Sequence, residues 1–169
     1  MTLPDSRIAE IGRRIPSLVN TGRNNLLDLL ETTPVDVQRV GEGNRSVYAV
    51  MGDSPYTASF ARFLNDAAHR WLPDVDDRNG FVFAVPYRHA ILLQPCSTPA
   101  EIRDALDLVP DYAQRMHEEG TSPVSVHAYH WLGRKITCLT TEEYDGTITV
   151  QPSEVLEQLM GLTGGRRAG

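Results

Sequence analysis

Lysine is almost missing from this sequence. Lys135 is the only one, and the 16 Lys and Arg residues stand against 22 Asp and Glu for a formal net charge of −6. A chain this acidic lacks the clustered cations that displace counterions from a phosphate backbone, so no nucleic-acid partner is expected. The bias towards arginine fits GC-rich coding, and it also supplies planar guanidinium forks suited to carboxylate or phosphate. Cysteine is equally scarce. Cys96 and Cys138 cannot build a disulfide framework and form no CxxC pair for zinc or redox chemistry, so a reducing cytosol suits them and both read as small core residues.

No window approaches the roughly 18 uninterrupted apolar residues of a membrane span. The opening MTLPDSRIAEIGRR puts acids and arginines where a signal peptide needs apolar chain. A cytoplasmic protein without membrane contact is the expectation. A glycine-rich phosphate loop is lacking too: Gly41-Glu42-Gly43 has no third glycine and no following helix, and Gly164-Gly165 lies at the chain end, so no cofactor is expected. Ser54 and Ser125 lack the GxSxG elbow of a serine hydrolase.

What remains is an ordinary globular composition, 41% apolar and 22% charged in 169 residues, enough for one core. Helical spacing marks 6–16 and 24–31 as two short helices separated by the polar stretch Asn20 to Asn25. From Val35 the period becomes two, and Gly41-Glu42-Gly43-Asn44 joins Val35–Val40 to Val47–Met51 as a hairpin. Ser54-Pro55 then caps a helix over 55–72, with Phe60, Phe63, Leu64, Ala67, Ala68 and Trp71 on one face and Pro73 as its stop. FVFAV (81–85) and AILLQ (90–94) flank the turn Pro86 to His89. Continuous apolar runs of this kind belong at a sheet centre.

Thr98-Pro99-Ala100-Glu101 is a capping box for a helix reaching Gly120, which Pro110 should kink or split. A meander follows in Pro123–Trp131, Lys135–Thr140 and, after the Asp145-Gly146 turn, Thr147–Val150. A short helix opens at Pro152-Ser153-Glu154, and 163–169 reads as a flexible tail. The expectation is one α+β domain over 1–162, mainly antiparallel, with helices on one face and the order αα-ββ-α-ββ-α-βββ-α.

Two places attract a functional reading. His127 and His130 form an HxxH near Cys138, but residues three apart on a strand point to opposite faces, so the pair cannot share an ion unless a bulge intervenes, and no metal is expected. Asp74, Asp76 and Asp77 lack the glycine and closing glutamate of a calcium loop and read as a solvated turn. Tyr87, Arg88 and His89 occupy the turn between the most buried strands, where a rigid scaffold would hold a titratable trio. The plainer view is a polar hairpin tip whose arginine pairs with an acid. Tyr87, Arg88 and His89 are nonetheless the first ligand-binding candidates, with His127 and Tyr129 next.

The stretches GFVFAVPYRHAILLQP, TPAEIRDALDLVPDYAQRMHEEG and SPVSVHAYHWLGRKITCL, from Gly80 to Cys138, resemble the C-terminal module of uncharacterised bacterial proteins of the YtpQ-like type. In that module a strand ending in Val-Pro-x-Arg precedes an apolar strand, a helix and an aromatic-rich segment beginning Pro-x-Ser. Val85, Pro86 and Arg88 carry the likeness, which covers about a third of the chain and implies a fold module without an assigned activity.

The leading functional expectation is a non-enzymatic intracellular binding or regulatory protein acting on a protein partner or on itself through surface aromatics such as Tyr48, Tyr56, Tyr129 and Trp131. The alternative is a small enzyme or ligand sensor, with Arg88 anchoring an anion and His89 or His127 as acid or base. A toxin-neutralising protein, its acidic surface matched to a basic toxin, is the third.

Overall fold

The computed structural model describes residues 5–162, so the expected tail at 163–169 lies outside the described residues. The chain divides into two compact units, Met1–Thr33 and Pro34–Gly169.

The first unit is a single 28-residue helix, α1 (Asp5–Thr32), in place of the two short helices expected. The polar stretch Asn20 to Asn25 does not interrupt it. Asn, Thr and Gly each cost a helix under about 1 kcal/mol, and Thr21 returns its hydroxyl to the Ser17 carbonyl at 3.0 Å. Pro16 sits within the helix, where it removes one backbone hydrogen bond without ending the run.

The second unit is built on a six-stranded sheet of order β1-β2-β4-β3-β5-β6. Its strands are β1 (Asp36–Glu42), β2 (Arg45–Met51), β3 (Phe81–Ala84), β4 (Ala90–Pro95), β5 (Ala128–Leu132) and β6 (Lys135–Cys138). Every neighbouring pair is antiparallel. The α+β, mainly antiparallel class is as the sequence implies, and the two continuously apolar strands are the two at the centre.

Between β2 and β3 the chain forms a 3-10 helix (Thr57–Phe63) and then α2 (Leu64–Trp71). The helix expected over 55–72 thus starts later and comes in two pieces: Tyr56 is the N-cap, without a side-chain cap, and Ser54 Oγ accepts the Tyr56 N–H at 3.2 Å in the turn before it. The long helix α3 (Pro99–Glu119) starts as the capping box demands, with Thr98 Oγ1 accepting the Glu101 N–H at 3.2 Å, and it runs through Pro110 unbroken. The expected third strand of the meander departs: β7 (Thr140–Glu142) and β8 (Ile148–Val150) make a separate two-stranded sheet. Buried Leu139 separates β6 from β7 and joins the core under α3. A last helix, α4 (Glu154–Leu159), is capped by Ser153.

α3 packs on β2, β3, β4 and β5, over the alternate residues Val47, Ala49, Val82, Ala84, Leu92 and Ala128. The opposite face of the same strands carries Phe81, Phe83, Ile91 and Leu93, also buried. Helical cover is therefore not confined to the α3 face: the 3-10 helix touches β4 and brings the buried Phe60 and Phe63, while Phe60 meets Trp71 edge to face at 6.3 Å between ring centres. Burial on both faces is what continuous apolar strands require. It makes the centre of the sheet a rigid platform for the loops at its ends.

Candidate functional site

The turn after β3 is tied down by its backbone. The Arg88 N–H donates to the Ser122 carbonyl at 3.1 Å and the Arg88 carbonyl accepts from the Ala58 N–H at 3.1 Å. Residues 122–125 thereby extend the β3–β5 pairing, with Val124 N–H on the Pro86 carbonyl and Ser125 N–H on the Val85 carbonyl. Ala84 faces Ala128 in the ladder, so Val126 and His127 are extra residues and form a bulge. Such bulges re-aim side chains at the ends of sheets.

The two flanking side chains of the turn serve structure. Tyr87 bridges to Pro123 and its ring lies so close to Gly120 that a Cβ there would sit 2.6 Å from the ring. His89 holds the Gly52 carbonyl through Nδ1 at 3.0 Å, while Gly52 N–H donates to the His89 carbonyl at 3.0 Å. A carbonyl only accepts, so Nδ1 carries the proton. Arg88 is different: it is exposed, and among the described residues its guanidinium has no hydrogen-bond or ion-pair partner. The acid pairing expected of a plain hairpin tip is not made.

Arg88 opens on a shallow cleft of about 550 Å³. Its apolar lining residues are Pro55, Ala58, Val85, Pro123 and Val124, and its polar ones are Arg88, Ser59, Ser122, Ser125 and Tyr129. Tyr129 Oη lies 3.2 Å from Ser125 Oγ, which also accepts the His127 N–H at 3.1 Å, and the Tyr129 ring leans on Phe83 with centroids 5.5 Å apart. Ser122, on the cleft wall, has φ of 62°, the one positive value among the described non-glycine residues. Strain of this kind, about 1 kcal/mol, gathers at binding sites.

Of the five candidates, the cleft brings together Arg88 and Tyr129. Tyr87 and His89 are built into the scaffold beside it, and His127 turns away to Thr140, its Nδ1 3.1 Å from Oγ1. Thr140 Oγ1 also accepts the Ala128 N–H at 3.1 Å, so one hydroxyl ties His127 to the start of β5. The lining hydroxyls of Ser59 and Ser122 carry no signal of their own in the sequence, because nothing local places chain 55–59 beside chain 122–125.

The HxxH does not lie on one strand, His127 being in the bulge and His130 on β5. His130 is buried, with Nε2 donating to the Asn79 carbonyl at 3.0 Å and Nδ1 facing Ser153 Oγ at 3.4 Å, so the two histidines have separate partners. Burial holds the His130 pKa below its ordinary value. Among the described residues no three His, Cys, Asp or Glu side chains gather as a metal site needs. In the acidic run, Asp76 is clasped by Arg78 at 2.7 Å, which holds its carboxyl down at about 2, and Asp77 meets His69 at 3.1 Å.

The cysteines part company. Cys96 is a core residue whose thiol burial pushes up to about 12, but Cys138 is exposed, contrary to expectation, and donates its thiol proton to the Thr140 carbonyl at 3.2 Å. β6 is an edge strand, so its side chains lack a neighbour on one side. Among the described residues no helix is long and apolar enough to cross a membrane. No family model, curated protein or solved structure matches the chain.

Proposed function

We propose that the protein binds a small anionic ligand in the cleft beside Arg88 and acts as a ligand-responsive binding or regulatory protein. The observation that carries this reading is an arginine whose guanidinium has no partner among the described residues, on a turn whose backbone is fixed from both sides, lining a cleft of about 550 Å³. That volume lies within the roughly 300–1,000 Å³ usual for small-molecule sites. An arginine held this way keeps five donors for an incoming acceptor.

Binding without turnover is the better-supported half of the earlier alternatives. Among the described residues no His, Asp, Glu, Lys or Cys lines the cleft, and the nearby histidines, His89 and His127, are engaged with Gly52 and Thr140, so neither histidine stands ready as acid or base. Thermal unfolding in the presence of a panel of small organic and inorganic anions tests the proposal. A true ligand raises Tm progressively with its concentration, by about 2.7 kcal/mol of added stability at a hundred times Kd. The rise should vanish in Arg88→Ala; no shift across the panel, or a shift that Arg88→Ala retains, sinks it.

A further inference from the structure

Resting on that reading, we infer that the ligand is a monocarboxylate with an apolar body: an acyl or aryl acid in place of a phosphate or nucleotide. Charge decides first. Among the described residues one cation and no acid line the cleft, so the site compensates a single negative charge, as a carboxylate carries. A phosphate monoester brings between one and two charges at neutral pH, and a nucleotide polyphosphate brings more, with no second cation on the walls to meet them.

Geometry points the same way. Phosphate sites usually add backbone N–H groups from a helix N-terminus or a glycine-rich nest. Here the turn's own amides are spent, Arg88 N–H on Ser122 and Val124 and Ser125 N–H on the carbonyls of Pro86 and Val85, and Pro55 and Pro123 have none to give. The donors that stand out are the Arg88 fork, which matches the two oxygens of a carboxylate, and the neutral hydroxyl-bearing residues Ser59 and Tyr129 that can complete its shell.

The walls specify the other end of the molecule. Pro55, Ala58, Val85, Pro123 and Val124 present apolar surface beside the cation, and Val124 stands 56% exposed with nothing covering it. A hydrocarbon chain attached to the carboxylate would lie along these side chains. Burial of each methylene strengthens binding about fourfold, so affinity should climb with chain length until the cleft is full.

Isothermal titration of the full-length protein with acetate, butyrate, hexanoate and octanoate, and in parallel with inorganic phosphate and hexyl phosphate, tests this. The expected result is a Kd falling by about fifteenfold for each two methylenes over the first steps, loss of binding in Arg88→Ala, at least tenfold weakening in Arg88→Lys, and a shallower chain-length dependence in Val124→Ser. Binding of phosphate or hexyl phosphate through Arg88, with the carboxylates inert, overturns the monocarboxylate assignment and leaves the anion cleft standing. Carboxylate binding without chain-length dependence also overturns it. If no compound binds, or if binding survives Arg88→Ala, the assignment and the cleft reading fall together.

Discussion

At the entry to β3, Asn79 sends its side-chain N–H to the Cys96 carbonyl at 3.0 Å and its own carbonyl accepts from His130, while Gly80 adopts φ of 75° hard against the backbone of Trp131. At the exit, the turn 86–89 is anchored as firmly in its backbone, yet the Arg88 guanidinium has no partner among the described residues and the strained Ser122 stands on the cleft wall. One strand thus joins a closed junction to an open one. In the closed junction the buried polar side chains are used up by the fold. In the open one the fold fixes the backbone and leaves a side chain over, which is how a scaffold presents a binding group.

That contrast can be broken by substitution. Gly80→Ala should be the most damaging, because the new Cβ would sit 1.9 Å from the Trp131 carbonyl oxygen at a positive φ; a loss above about 3 kcal/mol in urea unfolding is expected. Retention of the wild-type midpoint would show that this junction relaxes freely.

His130→Ala comes next, at about 2–3 kcal/mol, since it opens a cavity and leaves the Asn79 carbonyl without its buried donor. The same residue sets a pH dependence. Its folded pKa lies below the ordinary 6.5 because burial disfavours the imidazolium, so the unfolded chain takes up the proton first. Stability from this group is complete above pH 6.5 and declines as pH falls through that value towards the folded pKa. Urea midpoints between pH 7.5 and pH 5, about a unit either side of the ordinary histidine range, should fall less steeply in His130→Gln than in wild type. Equal slopes would remove His130 from the account.

At the open end the effects on folding should be small. Ser122→Gly relieves the positive φ at the cost of glycine's extra unfolded-state freedom, for a net gain of about 0.5 kcal/mol; a clear loss of stability would mean that the Ser122 side chain holds the loop. Arg88→Ala should change stability by less than about 0.5 kcal/mol while abolishing anion binding. A large destabilisation there would make Arg88 structural and erase the difference between the two ends.

Much of the fold could be read residue by residue. FVFAV and AILLQ announced themselves as central strands because only burial on both faces tolerates unbroken apolar sequence, and Thr98-Pro99-Ala100-Glu101 marked the start of α3 through local chemistry alone. The errors came where local signals were weak against context. The polar stretch 20–25 looked like a break and is helix, Pro110 looked like a divider and is accommodated, and the strand thought to run from Lys135 to Thr140 divides at Leu139 because that side chain goes to the core.

For the site, the place of Arg88 at a turn between two rigid strands was legible in the sequence, since turn position is a local property, whereas the separation of His127 from His130 was not, because His127 lies in a bulge outside β5 where the two-residue period does not hold. Tertiary structure decided which neighbours these residues meet. Ser59 reaches Arg88 from some thirty positions earlier and Tyr129 from some forty later, and His89 lost its freedom to a carbonyl at Gly52. A cleft is made by segments distant in sequence, and neither its shape nor the leftover valence of its one cation exists until they pack.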